Sequence, residues 1–187
     1  MPILHAYGHP GGGVRTHCGY LSRFDQMVKI LSINVCGLNS PNKRVRVWNM
    51  AKDGGIDVLA VQETHLQVAD EHRMRSRHYT TGLFSSARTK HCGVALFFRR
   101  QTPFERTGMK RDREGRWLFV KGLLSNRKIT FVVLYAPNMG QDKFLVDMFD
   151  ALGAFAEGDL VVLGDFNLVW NPDLDRSGRF SHTTGAF

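Results

Sequence analysis

Four short apolar runs, each followed at once by polar side chains, constrain this 187-residue chain most strongly. Runs of this length, rich in Val, Leu and Ile and bounded by Gly or Asp, predict buried strands of a sheet. Strand ends in an α/β scaffold are where chemistry meets solvent, so we expect an oxygen-rich site with no obligatory His or Cys. The runs are 28–33, 58–61, 129–134 and 160–163, and they lead to Asn34, Glu63, Tyr135 with Asn138, and Asp165 with Asn167.

The segments between these runs predict helices and a hairpin. Ser40 followed by Pro41 is typical of a helix start, since Ser is a good N-cap and Pro fits the first helical position. The remaining predictions are a helix from Pro41 to Gly54, a strand at 92–98, a hairpin of 117–124 with 128–134, and a helix from Gln141 to Gly158. This order of elements predicts an α/β (α+β) fold in which helices flank packed, largely antiparallel sheets.

Length and composition favour one soluble globular domain. The chain is 43% hydrophobic and 22% charged, and no stretch approaches the roughly 18 apolar residues of a membrane helix. We therefore expect no membrane association. Three cysteines, odd in number and far apart, argue against a disulfide framework. A reducing compartment, nucleus or cytoplasm, is the expected location, because residues 1–26 also lack the apolar core of a secretory signal.

The predicted domain spans residues 27–187. Residues 1–26 contain a glycine triplet and scattered histidines without hydrophobic periodicity, and this pattern predicts a flexible N-terminal extension.

Positive charge is concentrated in one quarter of the sequence. Residues 71–116 contain twelve Lys or Arg against four Asp or Glu, whereas the rest of the chain balances at thirteen each. A basic segment of this kind is typical of a polyphosphate partner, and Arg suits phosphate because of its planar donor fork. We predict that DNA is this partner, contacted by Arg73, Arg75, Arg113, Arg116 and Trp117. The alternative is a solvated basic face without a ligand.

The polar strand ends match, in order and spacing, the motifs of a known family. The chain resembles the endonuclease/exonuclease/phosphatase superfamily, and within it the endonuclease domain of LINE-type retrotransposons. The superfamily resemblance rests on Ser32–Val35, Gln62–His65, Tyr135–Asn138 and Gly164–Asn167. The LINE-type resemblance rests on Gly37–Ser40, His65–Leu66, Arg111–Gly115 and Leu174–Ser177. The resemblance to this superfamily implies its fold, a four-layered sandwich of two mostly antiparallel sheets flanked by helices.

The same resemblance assigns roles to the predicted site. Asp165 would orient or deprotonate the attacking water, Asn167 would hold the phosphoryl group, and Tyr135 and Asn138 would donate hydrogen bonds to it. Glu63 is the best candidate to bind a metal, because a strand-end carboxylate is costly unless it is paired or coordinates a cation. With Asn34 it would make a hard oxygen site suited to Mg²⁺, with Mn²⁺ as an alternative.

The resemblance also implies parts that this sequence does not contain. The family site is completed by a downstream Asp and a terminal Ser-Asp-His, so we expect a domain that is incomplete at its C-terminus. The main hypothesis is a Mg²⁺-dependent endonuclease that nicks DNA, a monomer or part of a longer polyprotein with reverse transcriptase. Two alternatives stay open: a catalytically inactive fragment that at most binds nucleic acid, and an enzyme of the same fold acting on abasic DNA or a small phosphodiester.

Overall fold

Two β-sheets form the centre of the fold in a computed structural model that describes residues 16–21, 27–80 and 82–167. The strands of the first sheet are β1 (Thr16–Leu21), β2 (Val28–Asn34), β3 (Val58–Gln62), β4 (Leu83–Ser85) and β5 (Val94–Phe98). The strands of the second are β6 (Phe104–Arg111), β7 (Trp117–Leu124), β8 (Arg127–Tyr135) and β9 (Asp159–Asp165). Their spatial orders are β1-β2-β3-β5-β4 and β6-β7-β8-β9.

One parallel pair in each sheet fixes where the strand ends meet. Strand β2 runs parallel to β3, with Asn34 opposite Gln62, and β8 runs parallel to β9, with Tyr135 opposite Asp165. All other pairs are antiparallel, so the prediction of mostly antiparallel sheets is confirmed. Because parallel strands end at the same edge of a sheet, the polar residues that follow them are collected at one edge of each sheet.

Helices cover the outer faces of both sheets and complete four layers. Between the sheets lies an apolar core built from the inner faces of β2, β3, β5, β7, β8 and β9. Helix α1 (Pro41–Asp53) buries Val47 and Ala51 against the outer face of the first sheet. Helix α2 (Gln141–Gly153) buries Met148 and Leu152 against the second. The predicted four-layered sandwich is confirmed, and no helix in the described residues is long and apolar enough to cross a membrane.

Both predicted helices form, with differences at their ends. Pro41 is the first residue of α1, but the side chain of Ser40 makes no capping hydrogen bond. Helix α2 ends at Gly153, five residues before the predicted stop. Gly158 instead shapes the turn into β9: its φ is +74°, and a Cβ there would collide with the carbonyl of Lys128. Only glycine avoids both penalties at such a position.

Residues 16–21 correct the prediction of a flexible N-terminal extension. They form β1 and pair antiparallel with β2, with Thr16 opposite Ile33 and Leu21 opposite Val28. This strand satisfies backbone groups along the outer edge of β2, a tertiary contact that the local sequence pattern does not signal. The boundary of the domain at residue 27 stays a prediction. Sequence reasoning also missed β4, β6 and a 3₁₀ helix at Val68–Met74.

Candidate active site

A buried amide joins two carboxylates that come from different sheets. The Nδ2 atom of Asn34, at the end of β2, donates to Oε1 of Glu63 at 2.8 Å and to Oδ2 of Asp165 at 3.1 Å. Asn34 and Asp165 are 8% and 9% exposed, so the bond between them is buried, whereas the bond to Glu63 is partly buried. Hydrogen bonds to an ionised group are stronger than neutral ones. The predicted strand ends therefore converge on one network across the two sheets.

The other end of the Asn34 amide is held by the backbone. Its Oδ1 accepts a hydrogen bond from the N–H of Cys36 at 3.0 Å, and the Cys36 thiol lies 3.5 Å from the same oxygen. These contacts direct the amide nitrogen toward the two carboxylates. Asn34 and Glu63, which the sequence predicts to bind a metal together, thus meet through a hydrogen bond. The Asn34 oxygen that would coordinate a cation is engaged by Cys36, so Glu63 offers the metal-binding oxygens of this pair.

Glu63 occupies a backbone conformation that is unusual for a residue with a side chain. Its φ is +53°, and His65 two residues later has the same value. Left-handed conformations cost roughly 1–2 kcal/mol per non-glycine residue, so neighbouring contacts must hold this loop. The N–H groups of Gly37 and Leu38 do so by donating to the carbonyls of Glu63 and Thr64 at 2.7 and 2.8 Å.

His65 is a site residue that sequence reasoning did not find. Its Nε2 lies 3.4 Å from Oε2 of Glu63, although the sequence suggests no partner and makes it a surface residue by default. The signal available was its position two residues after a candidate metal-binding carboxylate. Its ring is held beside Gly37, where a Cβ would lie only 3.0 Å from Nδ1 of the histidine.

Tyr135, at the end of β8, is a neutral hydrogen-bond donor at ordinary pH. Burial, and then a hydrogen bond to Glu63, raise the pKa of Tyr135 to about 12. The guanidinium of Arg116 lies 5.6 Å from the centre of the tyrosine ring, and its Nη1 lies 3.4 Å from the Tyr135 carbonyl oxygen. Arg116 thus places a positive charge beside Tyr135.

Asp165 and Asn167 are joined by a turn. In an extended strand, side chains two positions apart project to the same side of the sheet. Strand β9 ends at Asp165 and Asn167 has a φ of +48°, so this rule does not extend to Asn167. Instead the N–H of Asn167 donates to Oδ1 of Asp165 at 3.0 Å, and its Nδ2 donates to the Ala136 carbonyl at 2.6 Å. The two residues remain neighbours.

Asn138 lies at the exposed rim of this network. The Nε2 of Gln141, the first residue of α2, lies 2.7 Å from the Asn138 carbonyl and 3.3 Å from the Asn167 carbonyl. Gln141 therefore ties the loop after β8 to the loop after β9. We name the hydrogen-bonded group at the strand ends the acid–amide site; its members are Asn34, Glu63, Tyr135, Asp165 and Asn167.

The predicted DNA-binding residues separate into two groups. Arg113 and Arg116 line a cleft of about 930 Å³ between residues 86–92 and 111–116, which we name the arginine cleft. The others lie elsewhere: Nη2 of Arg73 pairs with Asp70 at 3.1 Å, Arg75 lines a smaller separate pocket, and Trp117 stacks on Phe119 at 4.2 Å. Trp117 is half-buried against the cluster beneath α2.

The donor atoms of the acid–amide site fit a sparsely ligated, hard cation. Within the described residues no group of three or more His, Cys, Asp or Glu is arranged to hold a metal. The carboxylate of Glu63 is still 18% exposed, and Asp165 lies on the same bridging amide. Mg²⁺ is commonly bound by one or two carboxylates together with water and substrate phosphate, so this donor set suits it.

The fold and the site together define a four-layered α/β sandwich with carboxylate and amide side chains at its strand ends. Residues 31–185 match the sequence pattern of the Endonuclease/Exonuclease/phosphatase family, and the chain belongs to that family. The superfamily resemblance found in the four motifs is confirmed.

Solved structures of three proteins show the same fold. A humanized Danio rerio TDP2 is 18% identical, with a TM-score of 0.59 over 76% of this chain and 63% of its own. The catalytic domain of Xenopus laevis APE2 is 19% identical, with a TM-score of 0.54 over 74% of this chain and 58% of its own. The AP endonuclease LMAP of Leishmania major is 18% identical, with a TM-score of 0.55 over 71% and 53%. The matched region spans less than two thirds of each of these proteins.

Proposed function

We propose that this protein is a Mg²⁺-dependent phosphodiesterase that nicks DNA, of the type found in LINE retrotransposons. The observation that carries the proposal is the Asn34 amide, which holds Glu63 and Asp165 together from two different sheets. Two carboxylates fixed at one point supply the two things that phosphodiester hydrolysis needs, a positioned nucleophile and a place for a cation.

Asp165 is the residue that would position and deprotonate the attacking water. Its carboxylate is fixed on one oxygen by the Asn167 N–H and on the other by Asn34. The water oxygen forms a new bond to phosphorus while the bond from phosphorus to one ester oxygen breaks. The water proton passes to Asp165 and from there to solvent, and the departing oxygen takes a proton from solvent water to become a free hydroxyl group. A fixed base lowers the barrier because its orientation is set before the reaction begins.

Neutral donors beside Asp165 would stabilise the negative charge that develops on the phosphate. Tyr135 keeps its proton because its pKa lies at about 12, so its hydroxyl can donate throughout the physiological range. Asn167 and the exposed Asn138 lie in the loops after β9 and β8, and Gln141 ties these loops together through their carbonyls. Donors aimed at developing charge are typically worth about 10²–10³-fold in rate each.

Glu63 would hold the divalent cation through its carboxylate, beside the substrate phosphate. When bound, the cation offsets negative charge on the phosphate oxygens and supplies Lewis-acid assistance. His65, 3.4 Å from Oε2 of Glu63, helps to fix the carboxylate in this role.

The LINE-type assignment is supported by sequence motifs at the edge of this site. Gly37–Ser40 follows β2 directly, and within it Leu38 is fully buried while Asn39 donates from Nδ2 to the His65 carbonyl at 3.3 Å. The motif thus belongs to the loop that shapes Glu63. The motif at 174–177 lies outside the described residues. An open reading frame that continues past codon 187 into a reverse transcriptase would support this parentage, and a frame without one would overturn it.

Plasmid nicking tests the activity. We expect the protein extended through the Ser-Asp-His segment to convert supercoiled plasmid to open circles in Mg²⁺, to stop in EDTA, and to lose roughly 10²-fold or more of its rate in an Asp165→Ala variant. The 187-residue chain alone should nick slowly, because groups that act on developing charge are missing from it. Undiminished nicking by Asp165→Ala would overturn the assignment. Duplex binding without nicking would favour the inactive alternative. Incision confined to abasic plasmid would favour the repair alternative.

A further inference from the structure

The arginine cleft presents several arginines in one concave space. Two chain segments form its sides: the loop 86–92, which leads into β5, and the turn 111–116 between β6 and β7. Its polar lining includes Arg88, Thr89, His91, Arg111, Arg113 and Arg116. Arg88 and Arg111 are additions to the set that the sequence predicted.

The charge of this lining is not neutralised from within. Four arginines face two carboxylates, Asp112 and Glu114. Asp112 is already engaged, since its Oδ2 accepts the N–H of Arg116 at 3.0 Å. In the part of the chain that the structure describes, no ion pair joins any of the four arginines to a carboxylate. An anionic ligand would therefore meet guanidinium groups that have no competing acid.

Two hydrogen bonds to backbone carbonyls hold the two sides of the cleft at a fixed separation. The Ser85 hydroxyl donates to the Asp112 carbonyl at 2.9 Å, and the Gly93 N–H donates to the Gly115 carbonyl at 3.2 Å. A Cβ at Gly115 would lie 2.8 Å from the nitrogen of Ala87, so only glycine allows this approach.

The outer loop is tied to the 3₁₀ helix as well. The Nε2 of Gln67 donates to the Arg88 carbonyl at 2.7 Å, and Lys90 lies 3.7 Å from the buried Asp70. Hydrogen bonds thus fix the backbone that carries the arginines before a ligand binds, which reduces the conformational entropy lost on binding.

The cleft adjoins the acid–amide site through Arg116, which lines the cleft and packs over the ring of Tyr135, a member of that site. Cys92 lines the cleft, and its carbonyl accepts the N–H of His65 at 3.0 Å. A polymer whose scissile phosphate lies at the acid–amide site can therefore place its neighbouring phosphates in the cleft.

We propose that the arginine cleft binds the phosphate backbone of duplex DNA beside the scissile phosphate, and this inference rests on the proposed function. Among the described residues that line it there is no Phe, Tyr or Trp, so it lacks the stacking surface by which single-stranded bases are usually held. Where such a surface is missing, arginine side chains bind the phosphate backbone and do not recognise the base sequence. The cleft therefore makes the enzyme specific for a polymer and leaves small phosphodiesters without this binding energy.

Binding and small-substrate hydrolysis, measured separately, test the proposal. The test variant replaces Arg88, Arg111 and Arg113 with Ala, which leaves the acid–amide site intact. The matched control replaces three exposed arginines outside the cleft, Arg46, Arg77 and Arg106, and removes the same charge. Fluorescence anisotropy of a labelled duplex in EDTA gives Kd and its salt dependence. Hydrolysis of bis(p-nitrophenyl) phosphate in Mg²⁺ reports the acid–amide site alone.

The cleft variant should bind duplex DNA roughly tenfold or more weakly, and its log–log salt slope should fall by about 0.9 for each phosphate that the protein no longer neutralises. Its hydrolysis of the small diester should match that of the unmodified protein, and the control should bind normally. An unchanged slope in the cleft variant, or an equal loss in the control, would overturn the proposal. If Asp165→Ala nicks normally while the cleft variant binds weakly, the proposed function fails and the cleft assignment stands.

Discussion

The acid–amide site and the arginine cleft lie side by side but are organised in opposite ways. In the first, side chains from positions as far apart as 34 and 165 hydrogen-bond to one another and are largely buried. In the second, residues from one stretch of 31 positions, 86 to 116, turn charged groups toward solvent with few bonds among themselves. Stabilising the charge that develops in a transition state requires side chains held in fixed positions. Binding a polyanion requires positive side chains that the ligand can reach. Changes in the two regions should therefore have different signatures.

The largest effect is expected where the two carboxylates depend on one amide. Asn34→Asp replaces the shared donor with a third carboxylate, so Glu63 and Asp165 lose their bridge and gain a like charge. We expect the free energy of unfolding to fall by roughly 3 kcal/mol, measured by urea denaturation, and nicking to fall about 10²-fold or more.

The exposed Asn49 on helix α1 provides the control for this change. Asn49→Asp adds the same charge away from the acid–amide site and should alter stability by less than about 0.5 kcal/mol. Equal destabilisation by the two variants would show that added negative charge matters in itself and that the bridge does not.

A second, smaller effect should come from Gly115, which supports the turn at the cleft; the substitution removes no arginine. Gly115→Ala forces a Cβ against the Ala87 nitrogen in a residue whose φ is +74°. We expect a loss of about 2–3 kcal/mol in urea denaturation, together with weaker duplex binding, because the turn that displays Arg113 and Arg116 must shift.

Gly55 is the matched control, since its φ is +63° but nothing lies within 4 Å of a Cβ there. Gly55→Ala should lose only the backbone term of roughly 1 kcal/mol and bind DNA normally. The comparison fails if both alanine variants weaken binding alike.

A third effect concerns alkaline pH and the two described tyrosines whose pKa is raised. Burial raises the pKa of Tyr79 to about 12, as burial and the Glu63 bond do for Tyr135, against an ordinary value of about 10. Between pH 10 and 12 the unfolded chain releases protons that the folded chain retains. The stabilising contribution is thus complete below pH 10 and is lost as pH rises to 12.

Denaturation across this window should show stability falling with pH, and Tyr79→Phe and Tyr135→Phe should each make the fall shallower. Near neutral pH each substitution should destabilise by about 1 kcal/mol, since each removes one hydroxyl hydrogen bond. Only Tyr135→Phe should also slow nicking. A pH dependence unaltered by both substitutions would contradict the pKa values.

The smallest effect should come from an arginine that the sequence assigned to DNA but that already has an acidic partner. Arg73 is 43% exposed and pairs with Asp70, so Arg73→Gln should lose less than about 1 kcal/mol and leave the salt slope unchanged. Arg113→Gln, at a position without an ion pair in the described residues, should lower the slope by about 0.9. Equal slopes in the two variants would remove the distinction between them.

The sequence by itself determined the six strands β2, β3, β5, β7, β8 and β9, the two helices and the identity of the residues at the strand ends. Short apolar runs such as 58–61 and 129–134 favour a buried strand. Glu63 and Tyr135, which follow these two runs, belong to the acid–amide site. The concentration of charge at 71–116 also predicted the segment that lines the arginine cleft.

Tertiary structure alone decided how those residues meet. The edge strand β1 pairs with β2, and the Asn34 amide meets Asp165, although the local pattern at these positions carries no sign of a partner. The orientation of the Asn34 amide is the clearest case, because it is set at once by the Cys36 backbone and by carboxylates 29 and 131 residues away. Hydrogen bonds are directional and short, so they depend on the packing of the two sheets, which no single stretch of sequence encodes.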